Sequence, residues 1–100
     1  MRLCSEGQVK KFNKIGLKKE NIYINEALNY LLNEHYLFIH TFPFVLPDDR
    51  IIFDFDILRI VNELETIHRS GFGEFSDIED ALYEGINISL DFILKNNGED

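Results

Sequence analysis

Between Asn21 and Pro43 the residues Ile24, Ala27, Leu28, Leu31, Leu32, His35 and Ile39, all apolar but the histidine, recur at three- and four-residue steps. That is the period of one helix face, and it constrains the chain more than any other pattern in it. Asn21 or Asn25 is placed to cap this helix. Its end must precede Pro43, because a proline disfavours helical backbone at the residue before it. The following Thr41–Pro47 segment is apolar but holds both prolines of the chain, and reads as an extended strap across the core.

Three more segments are set off by turn residues. Ser5 with Gln8 forms a capping-box pattern, Val9 and Phe12 share a face, and Gly16 supplies a stop, so a helix is expected from about Glu6 to Ile15. Ser76-Asp-Ile-Glu79 is a second capping box, with Asp77 and Asp80 near the positive end of the dipole. From it a last helix runs to Gly98 on a face of Ile78, Leu82, Ile86, Ser89 and Ile93, flanked by Ala81 and Gly85. Between these lies an ambiguous stretch. Phe53-Asp-Phe-Asp-Ile57 alternates as a strand does, yet Phe53, Ile57, Ile60, Leu64 and Ile67 step as a helix face. The longer pattern favours helix from about Asp49 to Arg69, with a strand at 51–57 as the alternative. The expected fold is therefore all-α, a single-domain bundle of about four helices, with α+β carrying one short strand as the second choice.

One hundred residues with 45% hydrophobic side chains suffice for one core and leave no room for a second. Cys4 is the sole cysteine, which excludes an internal disulfide and favours a reducing compartment. The basic, polar N-terminal segment does not resemble a signal peptide. No apolar run reaches the ~18 residues that span a bilayer, so a cytoplasmic protein without membrane partners is expected.

Chemistry-bearing patterns are few. Glu65-Thr-Ile-His68 has the spacing of one carboxylate–imidazole metal pair, but a di-iron bundle needs two such pairs and two further glutamates. His35 and His40 stand about 140° apart on a helix and cannot chelate together. Cys4 lies in a segment expected to fray, and no base is evident for it. None of the serines sits in a G-x-S-x-G elbow. Asp54 and Asp56 are the one carboxylate pair that acid–base chemistry could use, and they read better as solvated charge. Neither an enzyme nor a bound metal or other cofactor is expected.

Charge is what remains, and it is unevenly divided. From Asp48 to Asp91 twelve carboxylates face only Arg50, Arg59 and Arg69, a local balance of −9, whereas the first twenty residues carry +4. The N-terminal lysines read as a solvated helix face or as internal partners of the acids. On a protein of net charge −8 they are not expected to grip nucleic acid. Phe72 and Phe75 lie in the glycine-rich Ser70–Ser76 loop beside Glu74, Asp77, Glu79 and Asp80. Aromatic anchors ringed by acids suit capture of a basic protein, although both rings could instead plug the core. The expected partner-binding set is Asp48, Asp49, Asp54, Asp56, Phe72, Glu74, Phe75, Asp77, Glu79, Asp80, Tyr83 and Glu84.

In size, acidity and expected helical make-up the chain resembles the bacterial immunity proteins that neutralise nuclease toxins of bacteriocins and of contact-dependent growth inhibition. The residues that carry this resemblance are the acids of Asp48–Asp56 and Glu74–Glu84. It implies a tight complex with a cognate toxin domain, whose basic cleft or an adjacent surface is blocked. The alternative is a phage or plasmid inhibitor that mimics DNA, of anti-restriction or anti-CRISPR type.

Overall fold

A computed structural model describes residues 2–69 and 75–97. The fold is α+β, not the expected helical bundle. Helices α1 (Glu6–Lys14) and α2 (Ile24–His35) are followed by strands β1 (Leu37–Val45), β2 (Ile51–Ile60) and β3 (Leu64–Arg69), and then by helix α3 (Ile78–Asn96). The strands form one antiparallel sheet in the order β1-β2-β3. The helix expected over Asp49–Arg69 is thus two strands and a turn, and Ile39 belongs to β1 rather than to the second helix. Two-face apolarity caused the misreading, since β2 carries apolar residues toward the helices and away from them.

Local chemistry explains each boundary. Ser5 caps α1, with the Ser5 Oγ–Gln8 N–H and Gln8 Oε1–Ser5 N–H bonds of a full capping box at 3.1 and 2.9 Å. Gly16 closes it at φ 121°, where a β-carbon would stand 2.8 Å from the Tyr30 hydroxyl. Helix α2 starts at Tyr23, not at either asparagine, and ends on Tyr36 in the left-handed region (φ 60°). That single residue turns the chain from helix to strand.

The β1–β2 turn uses Pro47, Asp48 and Asp49. Asp49 sits at φ 67°, a conformation that aspartate tolerates better than most residues, and its N–H donates to Leu46 O at 2.9 Å. Pro43 stands opposite Phe53, whose own N–H and C=O both bond Phe75 on the far side of β2. Its missing donor therefore falls on the free edge of β1, where no ladder bond is lost. A bulge between Ile57 and Leu58 leaves Ile67 extra in β3.

Helices α2 and α3 cover one face of the sheet, and α1 packs against α3. Leu37, Ile39, Phe55 and Ile57 point into the core with Phe12, Ile22, Ile24, Leu31, Ile86 and Leu90. Burying each such side chain contributes about 1.5–3 kcal/mol. Helix α3 approaches β1 so closely that a β-carbon on Gly85 would lie 2.7 Å from Ile39 Cγ2. Helix α1 is joined to α3 by the buried Gln8, whose Nε2 donates to Tyr83 O at 3.1 Å and Asn87 Oδ1 at 2.8 Å. The N-terminal strip is held rather than frayed: Cys4 N–H donates to Ile22 O and Ile24 N–H to Arg2 O, at 2.8 and 2.9 Å.

The last helix is capped by Asp77, not Ser76. The Asp77 carboxylate accepts from Glu79 N–H at 2.8 Å. The expected stop at Gly98 lies outside the described residues. Among the described residues no helix is long and apolar enough to cross a membrane.

Two outcomes follow from these contacts. Asp77→Ala should cost about 0.5–2 kcal/mol in chemical denaturation, while Ser76→Ala changes stability little. Gly85→Ala should be destabilising, because overpacking costs roughly 1–3 kcal/mol against a helix-propensity gain of about 1. In an Ile39→Ala background the same change should become neutral or stabilising. A stabilising Gly85→Ala in the otherwise native protein would contradict the close approach.

Candidate functional site

The acidic residues expected to act together occupy three separate places. Asp48 and Asp49 form the β1–β2 turn, where Asp48 pairs with Arg50 at 2.7 Å. Asp54 and Asp56 lie on the sheet face turned away from the helices. Asp77, Glu79, Asp80 and Glu84 lie at the start of α3, on the opposite side of the sheet from that pair. Phe72 and Glu74 fall outside the described residues. Phe75 turns toward the core, with its ring 6.0 Å from that of Phe55. Tyr83 holds the Arg2 guanidinium 4.3 Å above its ring, and the same guanidinium pairs with Asp80.

The Asp54–Asp56 pair is not the solvated charge expected of it. Asp54 is fully enclosed and its Oδ1 accepts from Phe55 N–H at 2.8 Å. Asp56 is half-buried, opposite His40 of β1 and Arg69 of β3, and its Oδ1 has no hydrogen-bond partner among the described residues. Around this polar row the outward face is apolar. Phe38, His40, Phe42 and Phe44 line β1 with ring centroids 6.3, 5.6 and 5.5 Å apart, and Ile52 and Leu58 stand opposite Phe44 and Phe38.

Glu65 and His68 do not converge on a metal: Glu65 pairs with Arg59 at 2.5 Å, and His68 stacks on Phe55 at 5.4 Å. His35 lies against Tyr30 at 5.3 Å, and burial lowers its pKa. Among the described residues no three histidine, cysteine or carboxylate groups are gathered as a metal site.

Part of the basic N-terminal charge is drawn inward. Arg2 pairs with Asp80, Lys11 with Asp91 at 2.6 Å, and Lys19 with Glu26. These pairs are at least one-third exposed and each is worth about 0–1 kcal/mol. Their larger effect is on the field, because they leave Glu79 and Glu84 on α3, and Asp49 on the turn, without an ion-pair partner among the described residues.

A feature that sequence reasoning missed lies along the first hairpin. On the helix-side face of β1, exposure rises from 2% at Leu37 and 6% at Ile39, through half-buried Thr41, to exposed Pro43 and 70% at Val45. On β2 it rises from 0% at Ile57 and 1% at Phe55 to 55% at Ile51. The helix layer stops and the hairpin continues, for about 13 Å from Thr41 to Val45 at the usual strand rise. Alternating apolar runs on either side of Pro47-Asp-Asp49 could have revealed the hairpin, since that tripeptide is a turn signal. Nothing in the sequence marks how far along the hairpin the helix layer reaches.

Cys4 is a thiol whose reactivity its surroundings reduce. It is 8% exposed, and burial, with a lesser push from Glu26, raises its thiol pKa to about 11. The thiolate is the reactive form, so the folded protein should label far more slowly with a disulfide reagent at pH 8 than the unfolded chain. The folded pKa lies above the unfolded value of 9.0, so this group's contribution to stability is complete below pH 9 and is lost as pH rises toward 11. Cys4→Ala should flatten that alkaline loss. Equal labelling of folded and unfolded protein would contradict the burial.

Comparison of the chain with protein-family models, curated proteins and solved structures finds no match.

Proposed function

We propose that this protein is an acidic binding module that neutralises a basic protein, with a cognate bacterial toxin domain as the partner class, in the manner of an immunity protein. The observation that carries the reading is the arrangement of charge after folding. Arg2 and Lys11 of the N-terminal segment are drawn onto Asp80 and Asp91, while half-buried Glu79 and exposed Glu84 and Asp49 have no ion-pair partner among the described residues, on a protein of net charge −8. Such a field steers a basic partner and accelerates its capture. The separation of the carboxylates into three groups supports this reading over DNA mimicry, which needs one extended row of charges.

Asp77 and Asp80 are poor positions for a test, since one caps α3 and the other holds Arg2. Glu79→Lys/Glu84→Lys changes the field and leaves those contacts in place. Surface plasmon resonance against a basic protein recovered from the native host should show association slowed several-fold by this double reversal. It should also show a weaker dependence of the on-rate on salt, with the off-rate little changed. Association indifferent to both salt and charge reversal would contradict the proposal.

A further inference from the structure

The β1–β2 hairpin beyond the helix layer is a two-stranded arm with uncovered aliphatic side chains, and we infer that it anchors the partner interface. Val45 and Ile51 enter an apolar pocket on a basic protein, while Asp49, Asp77 and Glu79 meet the cations around that pocket. The inference rests on the acidic-module reading and adds to it the surface that makes contact.

Position brings the two kinds of residue together. Val45 and Ile51 are directly opposed across the hairpin and share the helix-side face with Ile39 and Phe55. Phe75 bonds Phe53 through both its N–H and its C=O, at 3.2 and 2.6 Å, which brings the start of α3 beside β2 only two residues from Ile51. Helix α3 then runs away from the arm. Gly85 meets Ile39, and farther on Phe92, Ile93 and Asn96 border the same cleft as Leu37 and Arg59. Its first turn therefore faces the arm, with Ile78 42% exposed and Asp77, Glu79 and Asp80 around it. Val45 and Ile51 on the arm and Ile78 at the helix start are exposed apolar side chains, with carboxylates at the turn and at the helix start.

Charge selects the occupant. A second copy would bring its own Asp49 and Glu79, which lack ion-pair partners among the described residues, against the same residues, and like charges juxtaposed in an interface are unfavourable. A basic protein surface with an apolar recess meets both features, because a few buried anchors within a complementary charged rim carry most interface energy.

The test uses the full chain, labelled with ¹⁵N, and three synthetic peptides of equal length: Lys/Leu amphipathic, Lys/Ser and Glu/Leu. The Lys/Leu peptide should shift the amide resonances of Val45–Ile51 and Ile78–Asp80, and bind at least tenfold more tightly than either control. Val45→Thr/Ile51→Thr keeps β-propensity on an exposed ribbon and should remove that advantage. Leu64→Thr, at the far end of the sheet, should leave it intact. Binding of the Lys/Leu peptide that ignores the Thr pair overturns the arm as anchor and leaves the acidic module standing. Equal binding of Lys/Ser overturns the apolar pocket, and equal binding of Glu/Leu overturns the charged rim. No binding by either basic peptide overturns both readings. Sedimentation that reveals a dimer abolished by the Thr pair would assign the arm to a second copy.

Discussion

The contact between α3 and the sheet is the constraint on which the remaining structure depends. Ala81, Gly85 and Ser89 follow one another at four-residue intervals and are all buried, so they share one helix face. At Gly85 the absent side chain is what admits Ile39. Ser89 is chosen for size rather than polarity, since its hydroxyl has no hydrogen-bond partner among the described residues. With α3 seated on β1 and β2, the buried Gln8 ties α1 to its outer side, and α2 closes the remaining core through Leu31 and Ala27. The same seating fixes how far the helix layer reaches, and therefore where the hairpin emerges from it.

That geometry divides the sheet into parts of different stability. Near Ile57 the strands are three deep and covered by helices, whereas beyond Phe53 the ribbon is two-stranded, and such a ribbon is marginal without cover. The arm therefore depends on the clamped part for its register. Its turn residues explain some of the acidity: Asp49 occupies a left-handed position and Asp48 holds Arg50. Not every carboxylate in this chain is present for a partner. Asp77 caps, Asp80 orients Arg2 over Tyr83, and Asp54 is enclosed. Glu79, Glu84 and Asp49 are among those without an ion-pair partner among the described residues, whose charge is left to act at a distance.

Helices were legible where one face alone is apolar. The Ser5–Gln8 box, the Gly16 stop and the faces of α2 and α3 are local signals that the tertiary structure leaves intact. The sheet was not legible because β2 is apolar on both faces and the Val61-Asn-Glu63 turn contains neither glycine nor proline. Residues 51–69 then mimic one long helical face. Their enrichment in isoleucine and phenylalanine was the competing signal, since β-branched and aromatic side chains suit strands. Likewise Ile39 continues the period of α2 by coincidence, and Tyr36, a non-glycine left-handed cap, gives no warning that the helix has ended. The candidate site was legible as charge but not as geometry. Counting carboxylates cannot tell a cap from a free group, nor reveal that Val45 and Ile51 lie beyond the helices.

Native-state hydrogen exchange tests the division between clamped sheet and projecting arm most directly. Even-numbered β1 and β2 residues form the hydrogen-bonded pairs of the first hairpin, as the Leu46–Arg50 and Tyr36–Ile60 bonds at its two ends require. The Leu58 amide should exchange only with global unfolding and share the denaturant dependence of Leu90 in α3. The Ile52 and Phe44 amides, bonded in the same ladder but beyond the helices, should exchange through a local opening that is far less sensitive to denaturant. Protection that is uniform from Leu58 to Ile52, or α3 amides that exchange before those of the arm, would contradict the account.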